Sequence, residues 1–150
     1  MLRFTDEQIV FQEVPGEVSL AYTIAGCQLG CKGCHSSYSW NSEQGTALTD
    51  SYLQQRLQTY KGLISCVLFL GGEWQPQTLL PLLMMVRSAG LNTCLYTGLD
   101  DVSSELKQQL TYLKTGRWLS ERGGLDSPHT NQIFTDLRSN TRLNHLFVKP

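Results

Sequence analysis

Along the chain the spacing of apolar residues changes from the two-residue period of strands to the three-to-four-residue period of helices, and each change marks an expected element. The stretch "QIVFQEVPGEVSLAYTIAG", residues 8–26, holds two β-prone runs joined at Pro15-Gly16, a pair suited to a tight turn. It predicts an N-terminal β-hairpin whose second strand, Val18 to Ile24, leads directly into the loop "CQLGCKGC". In "LTDSYLQQRLQTY", Leu53, Leu57 and Tyr60 recur at helical spacing behind Thr49 or Asp50 as N-cap. "SCVLFL", Ser65 to Leu70, is a continuous apolar run that stops at Gly71-Gly72 and reads as a buried parallel strand. Pro76 suits the first turn of a helix through "PQTLLPLLMMVRSAG" that Gly90 closes, with Pro81 set deep enough to bend it or shift its start. "LNTCLYTG" is a further buried strand, followed by a helix capped by Asp100 or Asp101 and carrying Val102, Leu106 and Leu110. Beyond residue 115 the chain is rich in glycine and polar residues. Gly123-Gly124 mark a loop there, and Gln132 to Arg138 have weak helical character.

Strands alternating with helices predict βαβ units on a parallel sheet, with ligands bound beyond the carboxyl ends of the strands. The cysteine loop, "GGEW" and "YTG" all fall at such ends. The 150 residues suit one domain, 1–150, and fall well short of the roughly 250 of a closed eight-fold barrel, so an open, partial (β/α) barrel is expected. Composition narrows the function. A net charge of −1 without a lysine or arginine run argues against nucleic acid as a partner. No stretch is apolar enough to suggest a membrane span, and "MLRFTDEQIV" lacks the form of a secretory signal, so a cytoplasmic protein with reduced thiols is expected.

Against that background the chemistry concentrates in Cys27, Cys31 and Cys34, three of five cysteines. Structural zinc closes its shell with four cysteine or histidine ligands, and the fourth here would be His35, awkwardly adjacent to Cys34. A 4Fe-4S cluster likewise takes four cysteines, one per iron, so three thiolates leave one iron open as a binding position. Cys66 and Cys94 lie within apolar strand runs and read as small buried hydrophobes. His129 and His145 carry no pattern, and Trp40 suits a hydrophobic anchor for the loop. Lys114, Gly116 and Arg117 in "LKTGRW" mark a late strand end with no assigned role.

The spacing C-x3-C-x2-C resembles the signature of the radical S-adenosylmethionine enzymes, and "FLGGEW" resembles that family's Gly-Gly-Glu segment, with Trp74 where proline often stands. Gly33 stands where the superfamily often has an aromatic residue. "CHSSYSW" resembles the activators of glycyl radical enzymes. The short chain and "SPHTNQIFTDLRSN" look most like the activating protein of the anaerobic, class III ribonucleoside-triphosphate reductase. The resemblance implies an open partial barrel of the radical S-adenosylmethionine type, with Cys27, Cys31 and Cys34 on a 4Fe-4S cluster. It implies S-adenosyl-L-methionine chelated at the open iron, with Gly71, Gly72 and Glu73 along its amino group. Thr97 and Gly98, on the same rim, suit its adenosine or ribose. The implied reaction is one-electron cleavage of that cofactor to methionine and a 5′-deoxyadenosyl radical, which abstracts hydrogen from a glycine of the reductase's large subunit. A flavodoxin-like protein would be the electron donor. Activation of a formate-lyase type partner and a non-enzymatic zinc-stabilised interaction module are the alternatives.

Overall fold

A computed structural model describes residues 1–26 and 45–148. Among these residues eight strands and three α-helices form a mixed α/β fold on one sheet, in the order β3-β1-β2-β4-β5-β6-β7-β8, and the sheet does not close on itself. The expected hairpin is present, with β1 (Arg3–Val10) antiparallel to β2 (Ser19–Ile24). Pro15 and Gly16 turn the connection, where Gly16 adopts a φ of +79° and the Glu17 N–H donates to the Val14 carbonyl at 3.1 Å. The first strand begins earlier than its apolar run because its other edge pairs with β3 (Thr46–Ala47), a two-residue strand that periodicity cannot reveal.

The centre of the sheet is parallel: β2, β4 (Cys66–Leu70), β5 (Asn92–Tyr96) and β6 (Tyr112–Thr115) run side by side. Helices return the chain between them. α1 (Asp50–Thr59) begins at Thr49, whose hydroxyl accepts the Tyr52 N–H at 3.1 Å, so of the two expected caps Thr49 is the one used. α2 (Pro76–Ser88) takes Pro76 in its first turn and carries Pro81 within its length. α3 (Ser104–Gln108) is shorter than expected and is capped by Ser103, not by Asp100 or Asp101. Asp101 instead pairs with Lys107 at 2.6 Å and accepts the Val102 N–H.

The segment Gln132 to Arg138 is not helical. Ile133–Asp136 form β7, antiparallel to β6, and Thr141–Arg142 form β8. Alternation decides this, since Phe134 is fully buried while Ile133 is exposed, a two-residue period that suits the sheet face. Outward from β7, the Asn144 side chain substitutes for a strand: its Oδ1 accepts the Phe134 N–H and its Nδ2 donates to the Gln132 carbonyl, both at 2.8 Å.

All three helices pack on one face. Leu53 and Leu57 of α1, Leu79, Leu82, Leu83 and Val86 of α2, and Leu106 of α3 meet Leu20, Tyr22, Ile24, Val67, Phe69, Leu95 and Leu113 of the sheet. The opposite face carries Ala21, Cys66, Leu68, Cys94, Tyr112 and Phe134. It is covered by Val14 from the β1–β2 connection and by Leu125 from the β6–β7 connection. Both faces of the parallel strands are therefore buried, as their continuous apolar runs require. Among the described residues no helix is long and apolar enough to cross a membrane.

Candidate functional site

Three parallel strands end in residues able to present backbone to a ligand. β2 runs into Ala25-Gly26, β4 into Gly71-Gly72-Glu73 and β5 into Thr97-Gly98, and their side-by-side order puts these ends on one rim. The expectations for Cys27, Cys31, Cys34, His35 and Trp40 lie outside the described residues, although β2 leads into the triplet as the sequence implies.

Gly71 and Gly72 adopt φ of +103° and +107°, which glycine alone takes without strain. The backbone conformation is one reason for glycine here, and a second differs between the two. A Cβ on Gly71 would lie 2.7 Å from Cη2 of Trp74, whereas one on Gly72 would meet only ordinary contacts with Leu2 and Leu79 at 3.4 and 3.6 Å. The indole of Trp74 thus packs directly against the turn, and the Gly71 N–H donates to the Tyr96 carbonyl at 3.0 Å. This makes the double glycine a rigid ledge built on the parallel ladder.

Glu73 and Thr97 meet across the ends of β4 and β5. The Thr97 hydroxyl donates to Glu73 Oε1 at 2.7 Å and accepts the Leu99 N–H at 3.0 Å. The other carboxylate oxygen, Oε2, is out of contact with solvent and has no hydrogen-bond partner among the described residues. Burial is the dominant influence on this carboxyl and raises its pKa above the ordinary glutamate value, while the Thr97 hydroxyl and the charge of Lys114 pull it back down. Glu73 also lines a rim groove of about 330 Å³ with Pro76, Leu99, Asp101 and Val102. Gly98 follows Thr97 on the rim and is partly exposed.

Lys114, which like Gly116 and Arg117 carries no role assigned from the sequence, is placed by the structure at the rim. It is buried on β6, and its ammonium donates to the Thr97 carbonyl at 3.2 Å and to the Gly116 carbonyl at 2.8 Å. The signal available in the sequence was a lysine inside the apolar run "TYLKT", where alternation sets it on the face shared by Tyr112. The rim therefore extends to the third crossover, and its end at Gly116, φ +98°, abuts Asn131 and Gln132.

Cys66 and Cys94 lie fully buried in the sheet, as their apolar surroundings imply. Burial pushes the Cys66 thiol up to about 12 and holds Cys94 well above the usual range, so neither offers a thiolate. Among the described residues no group of three His, Cys, Asp or Glu side chains could hold a metal ion. His129 and His145 join no such group. A second cleft, of about 470 Å³, opens at the opposite end of the sheet beside Arg87, Lys107 and Arg138. Arg138 is engaged by Asp136 and the Tyr112 hydroxyl, while Arg87 and Lys107 sit in the last turns of α2 and α3, where positive charge complements the helix carbonyls.

The family model for a 4Fe-4S single cluster domain matches residues 14–118, from the β1–β2 connection to just past the end of β6. A pyruvate formate-lyase-activating enzyme from Clostridium pasteurianum is 33% identical over 78 residues, 48% of this chain and 33% of that enzyme. The match spans about a third of that relative's length.

Proposed function

The chain belongs to the 4Fe-4S single cluster domain family, and from that premise we propose that it is a radical S-adenosylmethionine activating enzyme that installs a glycyl radical on a protein partner. The observation that carries the reading is the combination of three cysteines at C-x3-C-x2-C with Gly71-Gly72-Glu73 at the end of the next parallel strand. Cys27, Cys31 and Cys34 are the ligands of the cluster, and the absence of a fourth local cysteine leaves one iron for the cofactor. Family membership favours iron-sulfur over zinc for this triplet.

The residues of the rim fit S-adenosyl-L-methionine. The Gly71-Gly72 ledge offers backbone without side chains, Glu73 offers an oxygen that lacks a partner among the described residues, and Thr97 and Gly98 continue the rim toward the adenosine. When bound, the cluster and cofactor supply one-electron cleavage of the sulfonium and abstraction of hydrogen from a glycine Cα. The chain itself holds the cofactor in place and removes water from its methionine end. Trp74 and Leu2 pack against the ledge, and Val14 and Leu125 close the sheet face beneath. Among the described residues the open sheet does not enclose a substrate, and a radical needs shielding, so the substrate is a loop of a docking protein that completes the enclosure.

The partner is the large subunit of anaerobic ribonucleoside-triphosphate reductase, with a flavodoxin-like electron donor, and the protein acts as one domain, 1–150, in the cytoplasm. The sequence likeness to a pyruvate formate-lyase-activating enzyme favours a second reading in which the partner is of the formate-lyase type. Electron paramagnetic resonance separates them. Anaerobic incubation of the reduced, reconstituted chain with S-adenosylmethionine and each candidate partner should produce a glycyl radical doublet on the reductase. A doublet only on the lyase moves the assignment to the second reading, and none on either withdraws the activase function.

A further inference from the structure

The Gly-Gly-Glu segment is only the upper layer of the rim, and a hydrogen-bonded layer beneath it has no counterpart in that motif. The Thr97 hydroxyl has one proton. It donates that proton to Glu73 Oε1, 2.7 Å away, while the hydroxyl oxygen accepts the Leu99 N–H. The carbonyl of the same threonine accepts from Lys114, whose ammonium also binds the Gly116 carbonyl and lies 5.8 Å from the centre of the Tyr96 ring. A continuous path of hydrogen bonds thus links the ends of β4, β5 and β6. At its end stands one carboxylate oxygen, Glu73 Oε2, shielded from solvent and lacking a donor among the described residues. Leaving a buried acceptor without a donor costs stability, which a ligand that supplies the donor recovers.

We propose that Thr97 and Lys114 are positioning residues for Glu73: they form a brace across three strand ends that holds its second oxygen in place for a primary ammonium group of the ligand. The charged and titratable groups facing Glu73 are Lys114, engaged by two carbonyls, and Asp101 across the rim groove, paired with Lys107. Among the described residues no donor reaches Oε2 itself, and the Lys114 charge acts on the carboxyl from beside the Thr97 carbonyl. With Oε1 held by Thr97, only one oxygen is offered, which matches a compact ammonium and not the bidentate fork of a guanidinium. The ligand's identity rests on the reading of the rim as an S-adenosylmethionine site; the brace is a property of the chain alone.

Two readouts separate those layers. In the first, the reconstituted, unreduced chain is titrated with S-adenosylmethionine and with its analogue in which hydrogen replaces the α-amino group. Thr97→Val should bind S-adenosylmethionine about tenfold more weakly, the effect of losing a charge-assisted arrangement, and lose a clearly smaller factor for the analogue, which keeps the adenosine but has no ammonium to place. Thr97→Ser should restore wild-type affinity, and Lys114→Met should weaken binding in the same selective way. In the second, carbon NMR follows titration of the Glu73 carboxyl without cofactor, assigned by its loss in Glu73→Gln. Thr97→Val and Lys114→Met should each move that titration to higher pH, because both groups favour the ionised carboxylate. Equal weakening of both ligands, or unchanged binding in Thr97→Val, overturns the positioning role, as does an unmoved Glu73 titration. Failure of the wild type to bind S-adenosylmethionine overturns the ligand assignment, and the titration then decides the brace independently.

Discussion

At the scale of single residues, the two glycines of the ledge differ in a way that stability measurements can read. Both have positive φ, a conformation that costs an L-residue about 1–3 kcal/mol. Only Gly71 also faces a wall, the Trp74 ring at 2.7 Å from a Cβ. Gly71→Ala is expected to lower the unfolding free energy by more than Gly72→Ala, by about 1 kcal/mol or more for displacing the packed indole. Urea denaturation of the two variants checks this, and equal losses contradict the role given to Trp74. Glu73 makes a pH-dependent prediction. Its folded pKa is raised, chiefly by burial, so the folded state holds the proton more tightly than the unfolded chain. The stability contributed by the protonated form is present at low pH and is lost as pH rises from the unfolded value through the folded one. Glu73→Gln should therefore melt at a higher temperature than the wild type at neutral pH, with the gap closing near pH 4, where the ordinary carboxyl protonates. A gap that ignores pH would mean that Glu73 is not desolvated.

At the scale of elements, the outer side of β7 is paired with β8 at its end and finished at its start by one side chain. Asn144 pairs with the Phe134 N–H and the Gln132 carbonyl, both buried bonds, and Asn144→Ala should cost about 2–4 kcal/mol by leaving two backbone groups without partners. Amide exchange at Phe134 should accelerate accordingly, and unaltered protection there would show that the cap is dispensable. The same region shows where sequence reading stops. β4, α2 and β5 were legible because continuous apolar runs end at glycines and Pro76 opens the helix, all local signals. Ile133 and Leu137 imitate helical spacing, and only pairing with β6 reveals Phe134 as the inward residue. Likewise Asp100, Asp101 and Ser103 are all competent caps. Ser103 is used because Asp101 is engaged by Lys107 and the Val102 N–H. The site divides the same way: the cysteine triplet and Gly71-Gly72-Glu73 are local spacings, whereas the contacts of Lys114 with Thr97 and of Trp74 with Gly71 exist only once strands and turns are assembled.

At the scale of the molecule, the described residues form an open eight-stranded sheet that carries its helices on one face and ends its parallel strands in the glycine-rich turns of the candidate site. The strand that leads into the cysteine triplet in sequence, β2, and the strand that ends at Gly71-Gly72, β4, are paired neighbours, the arrangement on which the proposed function rests. The two cysteines buried in the sheet are too protonated and too enclosed to substitute for any of the triplet, so each of Cys27, Cys31 and Cys34 is expected to be indispensable. The direct measurement is 5′-deoxyadenosine formation. The chain is reconstituted with iron and sulfide without oxygen, reduced, and supplied with S-adenosylmethionine beside a Cys31→Ala control. Product is expected from the wild type, with loss of at least about 99% of it in the variant, since removing one of three ligands abolishes the cluster. Undiminished product in Cys31→Ala, or a wild-type chain that takes up zinc and forms no cluster, would contradict that expectation.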